Sequence, residues 1–233
     1  MKIKYDVKKI KDIKADIVSS VTFEDQVSTK MHWLNTLFKG TLDTLIETND
    51  FKAKASTSIL TYLGPDNRSK RLMVIGLGNS KEITLEGIRK SYATAAKKLN
   101  AMKLTSVGFE VPDLAYIKSI TNASHYDIMQ AICEGVFLTQ YSPKKYHAKS
   151  DFVPFNEVIF FTDSPKYTRE AQEALKDAKV ICDAAIVARE LENEPSNFLT
   201  PDKFAEYVKK SSIKAGYQVT VFDEKKIAQL NMG

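Results

Sequence analysis

Gly76-Leu77-Gly78-Asn79 follows a short apolar run, Arg71 to Ile75, and precedes a helical pattern that Thr84 can cap. Glycines at such a turn leave backbone amides, and the positive end of a helix dipole, able to cradle a phosphate. The stretch has no third glycine at dinucleotide spacing and no Gly-Lys-Ser/Thr. A tight strand-to-helix turn is therefore the better reading, with nucleotide binding as the alternative.

The other groups capable of chemistry are scattered. None of the three histidines, His32, His125 and His147, has a His, Cys, Asp or Glu partner at a spacing typical of a metal site. His32, beside Trp33 in a helical pattern, is read as structural, and His147, in the polar Lys144-to-Ser150 stretch, as solvated. Asp66, Asp127, Asp183 and Glu194 have the chemistry of a general base, yet nothing sets a second group beside any of them. Glu194, next to Pro195, is read as part of a helix-terminating segment. Asn197 and Thr200 are read as caps of backbone amides in the turn that follows. There is no Gly-x-Ser-x-Gly elbow and no His-Glu-x-x-His. Cys133 and Cys182 lie in apolar helical patterns and are expected as buried free thiols of a reducing compartment; a disulfide or metal pair is the alternative. No catalytic, cofactor-binding or metal-binding residue is assigned within 1–233.

The elements that would position such groups alternate between strand and helix. Residues 2–7 and Ala15 to Phe23 read as strands, and Thr29 to Asn49 as two short helices in series around Gly40, with Trp33, Leu34, Leu37 and Phe38 on one face of the first. Thr57 to Leu63, Arg71 to Ile75, Ser106 to Val111 and Glu157 to Phe161 are further strands, the last apolar enough to be covered on both faces. A helix from Thr84 to about Met102 buries Ile88, Tyr92, Ala95, Ala96 and Leu99, and another starts at Ser124. This order predicts an α/β domain over 1–163 with a mostly parallel or mixed sheet and helices on both faces. Ser164 and Pro165 then open a predicted helix of about thirty residues, roughly 45 Å long, suited to linking two domains over 164–195. Residues 196–233 read as a helix capped by Thr200, a strand over Tyr217 to Phe222, and a last helix capped by Asp223. A fragment of that size buries little core alone and is expected to be the edge of a second, truncated α/β domain.

Composition narrows the function classes. A hydrophobic fraction of 43% with 27% charged residues is that of an ordinary globular protein. No apolar run reaches the roughly 18 residues of a membrane span, and the N-terminus lacks the apolar core of a secretory signal. The net charge of +5 is modest. The Lys-rich opening, Lys2 to Lys14, is read as a solvated edge strand and turn, with binding to nucleic acid as the alternative.

Asn193-Glu194-Pro195-Ser196-Asn197-Phe198-Leu199-Thr200-Pro201 resembles the Asn-x-Pro-x-Asn-x-Leu-Thr-Pro segment that opens the catalytic domain of leucine (cytosol) aminopeptidases, the M17 metallopeptidases. Val187-Ala188-Arg189-Glu190-Leu191 and the Leu230-Asn231-Met232-Gly233 ending extend the likeness; Arg71 to Gly78, Ile88-Arg89, Ala95-Ala96 and Glu134-Gly135 match more weakly. The resemblance implies a macrodomain-like three-layer α/β/α N-terminal domain, macrodomains being binders of ADP-ribose. It also implies a cytoplasmic homohexamer that releases N-terminal residues, often Leu, from peptides. Two divalent metals, Zn, Mn or Mg, would sit in the C-terminal domain, and a metal-bridging water would attack the scissile carbonyl. The family's metal ligands, its Asp-Ala-Glu-Gly-Arg motif and its catalytic Lys and Arg have no counterparts in 1–233. The chain is thus expected to be an inactive front half that serves assembly. A non-catalytic binding domain, for a partner protein or nucleic acid, is the alternative.

Overall fold

The computed structural model describes residues 1–143 and 152–232. Its contacts divide the chain into two units, Met1–Ile186 and Val187–Gly233. Among the described residues the first unit is built on a six-stranded sheet: β1 (Lys2–Val7), β2 (Ile17–Thr22), β3 (Ser58–Tyr62), β4 (Arg71–Gly76), β5 (Ser106–Glu110) and β6 (Glu157–Thr162). The spatial order is β1-β6-β5-β2-β4-β3. All pairings are parallel except β3 with β4. The mixed sheet expected from the alternating elements is therefore present.

Side chains alternate between two cores, one on each face of the sheet. Ile17 and Val21 of β2, Met73 and Ile75 of β4, Val107 and Phe109 of β5, and Val158 and Phe160 of β6 belong to the larger core. It is closed by α3 (Leu85–Ala101), α4 (Leu114–Thr121), α5 (His125–Phe137) and the first part of α6 (Thr168–Glu192). Val18, Leu72, Val74, Ile159 and Phe161 face the smaller core with α1 (Val27–Leu37) and α2 (Asp43–Thr48). The wholly apolar run of β6 thus has a covered face on either side.

The predicted starts of α3 and α5 are met by geometry. Thr84 Oγ1 accepts from the Gly87 amide, and Ser124 and Asp127 form a reciprocal capping box. All five residues named for the buried face of α3 are buried. Leu34 of α1 and Phe38, the residue after it, enter the core, but Trp33 stays 44% exposed. At the N-terminal edge, Lys4 Nζ lies 2.7 Å from Glu157 of β6, and Lys8 pairs with Asp6. Cys133 and Cys182 are buried and not joined in a disulfide.

Two predicted elements are corrected, and one helix was missed. The long helix does not begin at Pro165 with Ser164 as its cap. It begins at Thr168, because Tyr167 has φ 62° and breaks any helical run through it. With 25 residues α6 is about 37 Å long. Next, α4 was not foreseen, although Asp113 caps it by accepting from the Ala115 and Tyr116 amides. Finally, Tyr217 to Phe222 forms no strand: its alternation is that of a strand, but no described segment of the second unit offers a ladder.

The second unit holds α7 (Pro201–Ala215) and α8 (Glu224–Gln229), capped by Thr200 and Asp223 as expected, with Gly216 left-handed after α7. Neither helix buries a residue. The Asn197 side chain makes no hydrogen bond among the described residues, so its predicted capping role is not realised. His147 lies outside the described residues.

Candidate functional site

Parallel strands present their C-terminal ends at one edge of a sheet, where ligands of open α/β folds are held. Here the ends of β2, β5 and β6 open into a cleft of about 700 Å³. The adjoining wall comes from Lys30 and Trp33 of α1 and from Asp113 to Tyr116 at the start of α4. The volume is that of an ordinary small-molecule site.

Glu110, the last residue of β5, organises the cleft floor. Its Oε2 accepts from the Ser20 hydroxyl at 2.5 Å and the Val21 amide at 2.9 Å, while Lys30 Nζ donates to Oε1 at 2.9 Å. The Lys30 ammonium also lies 4.6 Å from the Trp33 ring centre, within cation–π range. Behind this group, the Tyr92 hydroxyl donates to the Glu110 carbonyl, and complete burial drives the Tyr92 phenol well above its ordinary range.

Two more carboxylates on the wall meet only uncharged donors. Asp25 accepts from the Ser80 amide and hydroxyl. Burial alone would raise its pKa, but those hydrogen bonds prevail and hold it below the usual carboxylate value. Asp113 fills the N-terminus of α4. Aromatic rings complete the wall: Phe23 and Tyr116 meet edge to face at 5.8 Å, and Tyr167 stacks on His125 with ring centres 3.6 Å apart.

The glycine loop singled out in the sequence is structural. The Gly76 amide donates to Thr57, the Leu77 amide to Thr22 and the Gly78 amide to Ala53. None of the three is left to cradle a phosphate. Glycine is required for closeness: a Cβ on Gly76 would stand 2.4 Å from the Ala53 and Lys54 backbone, and Gly78 has φ 80°.

Each of the four acids considered as bases has its own local setting. Asp66 is exposed near Lys39, Asp127 caps α5, Asp183 pairs with Lys179 one turn away, and Glu194 lies in the turn after α6. His32 is exposed, with Nδ1 2.8 Å from the Ser28 carbonyl of its own helix. Among the described residues no group of three or more His, Cys, Asp or Glu is placed to hold a metal ion. The donors present do not fit the metal pair implied by the resemblance, so no chemical step is derived through it. Ser20, Lys30 and Glu110 escaped the sequence reading because they are joined across 80 to 90 residues. A local signal was available in Pro112-Asp113 before Leu114, a helix start that the sequence reading did not use.

Comparison with known proteins gives a consistent result. The model of the cytosol aminopeptidase family, N-terminal domain, matches residues 20–150. A probable cytosol aminopeptidase of Thermosynechococcus vestitus is 30% identical over 217 residues, covering 92% of this chain and 41% of that protein. One from Chloroherpeton thalassium is 31% identical over 200 residues, covering 79% and 38%. A tomato leucine aminopeptidase mutant superposes with a TM-score of 0.83 at 19% identity, over 100% of this chain and 46% of its own. The bottromycin maturation enzyme BotP in complex with Mn gives 0.64 at 19% identity, over 93% and 40%. The chain spans about two-fifths of the length of the curated relatives it matches.

Proposed function

We propose, from the premise that this chain belongs to the cytosol aminopeptidase family and carries its N-terminal domain, that it is the assembly half of a leucyl aminopeptidase and has no peptidase activity of its own. The observation that carries this reading is the family match over residues 20–150 in a chain that spans only about two-fifths of its relatives. The parent would be a metallo-exopeptidase of the cytoplasm that releases N-terminal residues, often Leu. It would form a hexamer and hold two divalent metals, Zn, Mn or Mg, in a C-terminal domain.

In this reading residues 1–163 are a macrodomain-like N-terminal domain, 164–195 a linker segment that contains α6, and 196–233 the start of the peptidase domain. The exposure of large apolar side chains in the second unit supports the last assignment. Phe204 is 47% and Ile213 85% exposed on α7, an arrangement that a larger domain would cover.

The test is hydrolysis of leucine p-nitroanilide by the purified 233-residue chain with Zn, Mn or Mg added. No release above the buffer rate is expected. Robust metal-dependent release would overturn the proposal.

A further inference from the structure

The cleft at the ends of β2, β5 and β6 is not explained by an assembly role, and its chemistry is specific. Four carboxylates, of Asp25, Glu110, Asp113 and Asp163, face two lysines, Lys30 and Lys166. Lys30 is already paired with Glu110. Asp25 accepts from the Ser80 amide and hydroxyl with Lys81 nearby, and Asp113 accepts from the first amides of α4. Asp163 makes no hydrogen bond among the described residues. Carboxylates outnumber ammonium groups two to one in this lining, in a chain whose net charge is +5.

An anion is poorly served here. The amides of residues 76–78 donate to protein carbonyls, and Asp113 occupies the N-terminus of α4. A cation is well served. The aromatic faces of Phe23, Trp33 and Tyr116 line the same space, and one of them already carries an ammonium. The Tyr116 hydroxyl and the Trp33 indole N–H make no hydrogen bond among the described residues. They add polar groups that can orient a bound molecule.

We propose that this cleft binds an organic cation, an amidinium, guanidinium or ammonium group carried on a flat or apolar body, held between the aromatic wall and the Asp163 side of the cleft. The assignment goes beyond the assembly role and does not depend on it.

Trp33 is the single tryptophan of the chain and lines the cleft, so its emission reports on this site alone. The folded chain is titrated with benzamidine, with neutral benzamide and anionic benzoate of the same shape, and with ADP-ribose. Benzamidine is expected to give a saturable change that weakens as salt is raised, benzamide a weaker one, and benzoate and ADP-ribose none. Asp163→Asn, at an exposed position, should fold normally by circular dichroism and weaken benzamidine by about two- to fivefold. Three results would overturn the proposal: no saturable response to benzamidine, binding of benzoate or ADP-ribose as tight as that of benzamidine, or benzamidine binding indifferent to both salt and Asp163→Asn. Peptidase activity plays no part in this readout, so failure here leaves the assembly reading standing, and the reverse also holds.

Discussion

Lys30 and Glu110, eighty residues apart in the chain, meet at 2.9 Å and tie α1 to the end of β5. The Glu110 carboxylate also holds Ser20 and Val21 of β2, so one side chain joins two neighbouring strands to a helix on the sheet's smaller core. Glu110→Ala would leave the Ser20 hydroxyl, the Val21 amide and the ammonium without their acceptor. A loss of about 2–3 kcal/mol is expected in urea denaturation. Lys30→Met keeps the apolar stem near Trp33 and should cost about 1 kcal/mol or less, because the pair is partly open to water.

Gly76→Ala sets a methyl group against the Ala53 and Lys54 backbone, which cannot step aside as a flexible side chain would. The expected cost is about 2–3 kcal/mol, read as a lower denaturation midpoint. A phosphate-cradling loop would instead lose affinity for a nucleotide at unchanged stability.

Asp16 links β2 to the start of β5 by accepting from the Thr105 and Ser106 amides and the Thr105 hydroxyl. Burial opposes its ionisation, but these donors outweigh that cost and hold its carboxyl below 3.8 in the folded chain. A depressed folded pKa means that the stabilisation is complete above 3.8 and fades as pH falls below it through the folded value. Asp16→Asn should therefore lower stability at pH 7 and reduce the loss on acidification below 3.8. Urea midpoints at pH 7 and pH 3 for both proteins measure it; parallel losses on acidification would contradict it.

Burial pushes the Cys133 thiol well above its ordinary range, and Cys182 is equally inaccessible. The native chain should show no rapidly reacting thiol towards Ellman's reagent at pH 8, and two once urea unfolds it. One fast thiol in the native chain would refute the packing of α5 or α6.

Ile213 is 85% exposed on α7. Ile213→Glu should leave the unfolding midpoint within about 0.5 kcal/mol of the parent and raise solubility. A larger loss would show that α7 already packs within this chain, against the proposal that a further domain covers it.

Where each side chain's role depends on its near neighbours, the order of residues was informative. Thr84, Ser124, Thr200 and Asp223 sit where a cap must be, and all four accept the expected amide. The wholly apolar run of β6 and the apolar stripe of α3 named their covered faces correctly. The start of α6 was misplaced because Tyr167 adopts a left-handed conformation that its residue type does not announce. The strand expected over Tyr217 to Phe222 failed for a different reason: a strand is a property of a pair, and no described partner is present.

The alternating α/β plan, the buried thiols and the family could be read from the order of residues, because periodicity, caps and short motifs are local and survive without knowledge of the fold. The tertiary structure alone decided that Ser20, Lys30 and Glu110 form one cluster, that residues 76–78 have no free amide, and that an acidic, aromatic cleft opens at the strand ends. Each of these depends on contacts between segments about 20 to 90 residues apart, and the parallel sheet that brings them together leaves no mark of its register in the order of residues.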